Sequence, residues 1–133
     1  MTIFVFGSNL AGIHGAGAAR DALEKHGAQW GVGEGRTGNA YALPTKNHNI
    51  QTMSSREVAT YVLRFCAYAN KHPEETFFVT RIGCGLAGFR DFQIAPMFRC
   101  VPSNCILPIE WKALLDEGPW QFHSWDDNQK PKM

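Results

Sequence analysis

Apolar residues concentrate in four short runs that are separated by glycine-rich or polar segments. The runs are residues 3–6, 40–44, 76–82 and 104–111. The first has no polar face, and both the first and the third are rich in aromatic and β-branched residues, which is typical of strands buried on both sides in a parallel sheet. Pro44 and Pro108 cannot donate a ladder hydrogen bond, so we expect Pro44 at the end of the second strand, and we expect the fourth strand to lie at a sheet edge or to end early.

The segments between these runs predict helices. Residues 16–26 follow a glycine-rich loop and begin with small residues. Ser54 and Glu57 have the spacing of a capping box, and apolar residues then recur at helical spacing. Residues 91–98 predict a short helix that Asp91 caps. Strands that alternate with helices indicate an α/β domain with a mostly parallel sheet.

Glycine-rich loops adjoin the predicted strands at residues 7–17, 31–39 and 83–88, and we expect the middle loop to be mobile. In an open α/β sheet, ligands bind outside the carboxyl ends of the strands, where glycines let backbone N–H groups approach a phosphate. The known phosphate-loop patterns do not fit: no lysine precedes Lys25, and Arg20 stands where a dinucleotide fingerprint needs a small residue. The loops still predict a cleft of backbone amides for an extended ligand with phosphates in its middle.

Five side chains near these loops are candidates for chemistry, and each has a structural alternative. Lys46 directly follows the second strand and reaches the same ligand, unless it is only a solvated lysine. Phe89 either stacks on a base or ribose at the rim or anchors the helix that follows it. Cys84 is either a nucleophile or a small residue between two glycines. Asp91 either transfers protons or caps its helix, and His14 either transfers protons or is an idle loop residue.

Composition narrows the class of protein. The chain has 133 residues and a net charge of +1, so we expect one domain without a nucleic-acid-binding surface. No apolar run approaches the ~20 residues of a membrane span, and no signal peptide precedes the first strand. We therefore expect a cytoplasmic protein with no membrane partner. The four cysteines lack metal-ligand spacing, so we expect reduced thiols and no metal site.

The end of the chain differs in composition from the rest. We expect residues 1–116 to form the domain and residues 117–133 to form an aromatic and polar tail. Trp120 and Trp125 either fold back on the domain, which we favour, or serve a partner. Residues 126–133 have the composition of a disordered segment.

The motifs resemble those of the macrodomain superfamily. Gly-Ala-Gly-Ala-Ala stands at residues 15–19, Leu-Pro-Thr-Lys at 43–46 and Arg-Ile-Gly-Cys-Gly-Leu-Ala-Gly at 81–88. They are most similar to the terminal ADP-ribose glycohydrolase class. The opening Phe-Gly-Ser-Asn-Leu-Ala-Gly-x-His-Gly-Ala-Gly-Ala-Ala is also similar to small macro-like proteins of bacteriophages. The resemblance covers roughly residues 3–109 and implies a three-layer α/β/α sandwich that binds ADP-ribose or a relative.

The resemblance also implies roles for individual residues. The two phosphate loops of the family fall on Gly15, Ala16, Gly17 and Ala18, and on Gly83, Cys84, Gly85, Leu86, Ala87 and Gly88. Lys46 takes the place of the lysine that attacks the anomeric carbon of the distal ribose. The class has its acid/base aspartate where this chain has Ala87, so His14 or Asp91 would have to move the proton. Ser8 or Asn9, next to Gly7, occupies the region of the family's acidic adenine contact.

Two functions are expected from these motifs. The first is hydrolysis of an ADP-ribosyl bond, in a modified protein or in a metabolite such as ADP-ribose 1″-phosphate, with Lys46 as nucleophile or electrostatic stabiliser and no cofactor. The second is binding without turnover, as a reader or a sponge of an ADP-ribose-derived immune signalling nucleotide in a phage-infected cell. Ala87 favours binding without turnover, whereas Lys46 and His14 favour hydrolysis.

Overall fold

The sheet is built around β1 (Thr2–Asn9), which pairs in parallel with β3 (Ala40–Lys46) on one side and with β4 (Thr76–Val79) on the other. The computed structural model describes residues 1–125. β5 (Cys105–Pro108) continues the sheet in parallel beyond β4. The prediction of an α/β domain with a mostly parallel sheet is confirmed.

The alternation of side chains along β1 divides the apolar core between the two faces of the sheet. Ile3 and Val5 are fully buried in a cluster that includes the apolar face of α2 (Ser55–Lys71). Phe6 is buried on the opposite face, in a cluster that includes the alanines of α1 (Gly17–Lys25). A central strand covered on both faces needs apolar residues at every position, which explains its lack of a polar face.

Residues at or near the helix ends determine where two of the helices begin or change type. The Ser54 hydroxyl accepts from the backbone N–H of Glu57, and the Glu57 carboxylate accepts from the backbone N–H of Ser54, so the predicted capping box is confirmed. The short helix predicted from Asp91 onward is α-helical only over α3 (Asp91–Ile94) and continues as a 3₁₀ helix (Ala95–Cys100). Pro96 lacks the N–H that an α-helical turn would use there, which accounts for the change.

The predicted mobile loop at residues 31–39 instead contains a strand, β2 (Gly35–Thr37), which pairs antiparallel with β3. Its glycines allow close packing of two backbones. A Cβ atom at Gly33 would lie 2.2 Å from the carbonyl oxygen of Asn9, which no real side chain could occupy. Gly33 therefore lets this segment pack directly against the backbone of the first glycine loop at Asn9 and Leu10.

The end of the described chain belongs to the sheet. After a 3₁₀ helix (Ile109–Leu114), β6 (Gln121–His123) pairs in parallel with β5, which gives the order β2-β3-β1-β4-β5-β6. The indole N–H of Trp120 donates to the carbonyl of Val101 at 2.8 Å. β6 thus lies beyond residue 116, where the sequence predicted that the domain would end. A strand of three residues has too little pattern to be recognised in a sequence.

The predicted disorder of residues 126–133 lies outside the described residues. Within residues 1–125, no helix combines the length and the apolar character that crossing a membrane requires.

Candidate functional site

A cleft opens at the carboxyl edge of the sheet, where β1, β3 and β4 end. Its volume of about 580 Å³ is within the range of small-molecule sites. The first and third glycine loops meet across it, whereas the middle loop supplies none of its described lining. The sequence-predicted residues that line the cleft are Gly7, Ser8, Asn9, Gly15, Ala16, Gly17, Ala18, Lys46, Gly83, Cys84, Gly85, Leu86 and Ala87.

The amino end of α1 lies at this cleft, and its first amide groups have no hydrogen-bond partner within residues 1–125. Ala16 is its N-cap and offers no side-chain acceptor, and the first turn contains no acidic residue. Gly17, Ala18 and Ala19 all line the cleft. The first N–H groups of a helix have no partner within the helix, and the helix dipole makes this end positive. The helix terminus is therefore suited to an anionic group such as a phosphate.

The loop after β4 is folded by its own backbone. The N–H of Gly88 donates to the carbonyl of Gly85 at 3.0 Å, and the N–H of Phe89 donates to the carbonyl of Gly83 at 2.8 Å. Gly83 and Gly88 have φ angles of 75° and 85°, which glycine adopts without strain. Neither Gly88 nor Phe89 lines the cleft. Phe89 packs against the core on the α2 face, so its position supports an anchoring role and does not support stacking on a base.

Two glycines leave open space inside the cleft. A Cβ atom at Gly15 or at Gly85 would have no heavy atom within 4 Å, and neither residue has a φ angle in the left-handed region. The backbone would therefore accept side chains at both positions. What glycine provides here is room for a ligand to approach the main chain.

Ser8 and Asn9 line the cleft, but their side chains form hydrogen bonds to the protein's own backbone. The Ser8 hydroxyl donates to the carbonyl of Gly33. The Asn9 amide donates to the carbonyl of Ile13 at 2.9 Å and accepts from the N–H of Ile13 at 3.0 Å. These bonds fix the first glycine loop, so the two residues shape the cleft through their backbone.

Two cationic side chains line the cleft, and their environments differ. Lys46 is the last residue of β3, and its ammonium group makes no ion pair with any acidic residue in the described part of the chain. Arg81 bonds the carboxylate of Asp91 through Nε at 3.2 Å and Nη2 at 2.6 Å, and it lies 3.9 Å from Glu110. The charge of Arg81 is thus balanced, and Lys46 is the available cation.

Asp91 lies outside the cleft lining and holds Arg81. Its carboxylate also accepts from the indole N–H of the fully buried Trp111 at 2.8 Å. Burial alone would raise the pKa of Asp91, but hydrogen bonds from Arg81, Trp111 and Cys84 outweigh burial and hold the pKa below its usual value. A carboxylate that is ionised and engaged in this way does not act as a general acid. Its position does not support the predicted proton transfer.

His14 lies beneath the first glycine loop and not in the cleft. It is 1% exposed, with its ring 5.3 Å from that of Phe6 and 6.4 Å from that of Trp30. Its Nε2 lies 3.0 Å from the carbonyl oxygen of Val32, so Nε2 carries a proton and donates it. Nδ1 is buried without a hydrogen-bond partner among the described residues. The position of His14 indicates a structural role between two loops and does not support the predicted proton transfer.

Cys84 lines the cleft as a neutral thiol. Burial raises the pKa of this thiol to about 12, and the charge of Asp91 adds to the effect. The thiolate is the reactive form of cysteine, so the environment favours the small-residue interpretation over a nucleophile. None of the described lining residues carries a carboxylate.

Sequence reasoning missed several lining residues, which are Ile13, Ala19, Thr45, Ile50, Thr80, Arg81 and Trp125. Ile13, Ala19, Thr45 and Arg81 each lie within two positions of a predicted site residue, whereas Thr80 and Ile50 lie three and four positions from one. Trp125 is different, because it is distant in sequence from every glycine loop and no motif marks it.

Comparison with protein-family models, with curated proteins and with solved structures finds no match to this chain. The fold and the cleft define a mixed α/β domain with a ligand-sized site at the carboxyl edge of its sheet. The likeness to macrodomains thus remains a resemblance of motifs. Among residues 1–125, no group of three or more histidine, cysteine or acidic side chains is arranged to hold a metal ion.

Proposed function

We propose that the chain is a macrodomain-like, three-layer α/β/α domain that binds ADP-ribose or a nucleotide derived from it. The observation that carries this proposal is the pairing of two glycine loops across one cleft. The amino end of α1 supplies free amide groups on one side, and the loop around Gly85 exposes its backbone on the other. A diphosphate is an extended anion of the size that two such loops can hold together.

The cleft favours binding over turnover. Hydrolysis of a glycosidic or ADP-ribosyl bond needs a group that moves a proton to the leaving atom. Neither Asp91 nor His14 is available for that task, because Asp91 is bonded to Arg81 and His14 is buried against Val32. We therefore infer that the domain holds its nucleotide intact, as a reader or a sponge does.

Hydrolysis is the second candidate function, and Lys46 is the observation that favours it. Lys46 lines the cleft, and its ammonium group has no ion-pair partner among residues 1–125 that would hold it away from a ligand. Either function uses this side chain. In binding alone, the ammonium group neutralises a phosphate. In hydrolysis, the ammonium group stabilises the negative charge that develops on the leaving group, or Lys46 first loses a proton and its neutral amine attacks the anomeric carbon as the bond to the leaving group breaks.

Calorimetric titration with ADP-ribose tests the binding proposal. Gly85→Glu should abolish binding, because the new side chain enters open cleft space and adds a negative charge where the diphosphate would lie. Gly85→Gln has nearly the same size without the charge, so the difference between the two variants measures electrostatic repulsion. Thr60→Glu adds the same charge on the exposed face of α2 and should bind like the wild type. A folded Gly85→Glu variant with unchanged affinity would remove the cleft as the site.

Mass spectrometry of the same mixtures separates the two candidate functions. Ligand recovered intact supports a reader or sponge for that ligand. New products that disappear in Lys46→Ala, while most of the affinity remains, would support hydrolysis.

A further inference from the structure

Trp125 is the only aromatic residue in the described lining of the cleft. It lies two residues after β6, at the end of the described chain, and outside the stretch that resembles macrodomains. Its indole is partly exposed and also lines a smaller groove with Phe4, His26 and Phe78. The last residue of the described chain therefore lies at the cleft, although the strand before it is at the edge of the sheet.

The indole of Trp125 is supported by other aromatic rings. The rings of Phe4 and Phe78 are nearly parallel, with 11° between their planes, and the indole stands at 89° to the first and 79° to the second. Its centroid is 5.4 Å from that of Phe4 and 6.5 Å from that of Phe78. Edge-to-face contacts of this kind are favourable. The plane of the indole is thus close to perpendicular to the rings of Phe4 and Phe78, which are residues of β1 and β4.

His123 fixes the backbone that carries this indole. Its Nε2 lies 2.6 Å from the carbonyl oxygen of Val79, so Nε2 donates and Nδ1 is left as an acceptor. The backbone N–H of Trp125 donates to this Nδ1 at 3.2 Å. The imidazole also stacks on the ring of Phe78 at 3.9 Å. The neutral imidazole therefore connects the end of β4, which borders the cleft, to the residue that forms its wall.

The geometry points to a base-binding subsite: we propose that Trp125 forms the wall against which the nucleobase of the bound nucleotide stacks, while the glycine loops hold the phosphates. This inference rests on the proposed function and adds the ligand's base to it. The other described lining side chains are aliphatic, small, hydroxyl-bearing, thiol or cationic, apart from the amide of Asn9, which bonds Ile13. A base has an extended π-face, and stacking on an aromatic ring is the contact that such a face favours.

The test compares three variants by titration with ADP-ribose. Trp125→Ala should weaken binding by about 10- to 100-fold, which corresponds to the loss of one stacked base. Trp125→Phe keeps a π-face and should bind within a few-fold of the wild type. Trp125→Leu keeps an apolar cover over Phe4 and Phe78 without a π-face, and it should bind as weakly as the alanine variant. Circular dichroism checks that each variant is folded.

Tryptophan fluorescence gives an independent readout. ADP-ribose should quench part of the emission of the wild type, and the quenching should vanish in Trp125→Phe although the affinity persists. Trp30→Phe removes an exposed indole that lies outside the cleft lining and should leave the quenching in place.

The outcomes separate this inference from the proposed function. Wild-type affinity in Trp125→Leu, together with loss of binding in Gly85→Glu, would overturn the base subsite and leave the proposed function standing. Equal affinity of the phenylalanine and leucine variants would also overturn it, because the π-face would then contribute nothing beyond an apolar cover. If the wild type does not bind ADP-ribose at all, the proposed function fails and this inference fails with it.

Discussion

Replacing Asp91 tests whether the ion pair beneath the third glycine loop holds that loop in place. The carboxylate accepts from Arg81 and from the indole N–H of Trp111, and its side chain is 23% exposed. Asp91→Ala leaves a fully buried indole N–H without an acceptor and a partly buried guanidinium with only Glu110 nearby at 3.9 Å. An orphaned buried donor costs about 1–3 kcal/mol, and the unpaired guanidinium adds about 1 kcal/mol, since it is about one-third exposed. We expect a total loss of about 2–4 kcal/mol.

Urea denaturation followed by tryptophan fluorescence measures this loss. With the slope typical of a domain of this size, the midpoint should fall by about 1–2 M. Asp91→Asn keeps an acceptor for Trp111 and loses the charge, so it should show an intermediate loss. Asp116→Ala breaks the Arg99–Asp116 pair, whose atoms are 3.8 Å apart and whose carboxylate is 90% exposed, and should leave the midpoint unchanged.

The pH dependence of the same measurement identifies the charge as the cause. The folded-state pKa of Asp91 is depressed below its ordinary value of 3.8, so its contribution is present above that value and is lost as the pH falls through the folded-state pKa. The difference between the wild type and Asp91→Asn should therefore shrink below about pH 4. Equal midpoints for Asp91→Ala and Asp116→Ala would refute the reasoning, because the network would then contribute no more than an exposed pair.

Two further predictions concern the loops and the end of the chain. Gly33→Ala should destabilise the domain severely, because its Cβ would lie 2.2 Å from the carbonyl oxygen of Asn9. In Gly15→Ala the new methyl group enters open space, so the thermal midpoint of unfolding should be nearly unchanged. Equal thermal midpoints for the two variants would contradict this account of the glycines. Burial lowers the pKa of His123 from 6.5, against the opposing effects of the Val79 carbonyl and the charge of Glu110. The stability that neutral His123 contributes is present above pH 6.5 and is lost as the pH falls below that value. In His123→Gln, the free energy of unfolding should therefore depend less on pH below 6.5, and His26, whose pKa burial also lowers, should account for the dependence that remains. An unchanged pH dependence of the free energy of unfolding would count against the role of His123.

Local patterns predicted the parts of the fold that local interactions decide. The apolar run of β1 and the capping box of α2 are complete within a few residues, and both are present in the structure. β2 and β6 have three residues each, so their existence depends on the strands beside them and not on their own sequence. The cleft was predictable for a different reason: in a parallel sheet the loops that follow the strands must emerge at the same edge.

The orientation of polar side chains could not be predicted in the same way. The sequence predicts that a histidine among loop glycines is accessible to solvent. In the structure, the His14 ring is buried and its Nε2 donates to the carbonyl of Val32. The sequence around Asp91 indicates a helix cap. Its partner Arg81 lies ten residues earlier in the chain, and the path of the loop between them decides whether the two side chains form an ion pair. Trp125 reaches the cleft only because β6 joins the sheet. Each of these contacts is a property of the tertiary structure alone.

In the proposed function, the cleft would bind an anion mainly through its backbone, and this has consequences for its chemistry. Arg81 is balanced by Asp91 and Glu110, so Lys46 is the one uncompensated cation in the described lining, and the remaining positive potential comes from the amino end of α1. Backbone dipoles are fixed in place and need no reorganisation when an anion binds. They cannot, however, donate or remove a proton at neutral pH. The described lining that we propose for a diphosphate thus contains neither a carboxylate nor a histidine to move a proton, which is why we propose that the domain holds a nucleotide and does not cleave it.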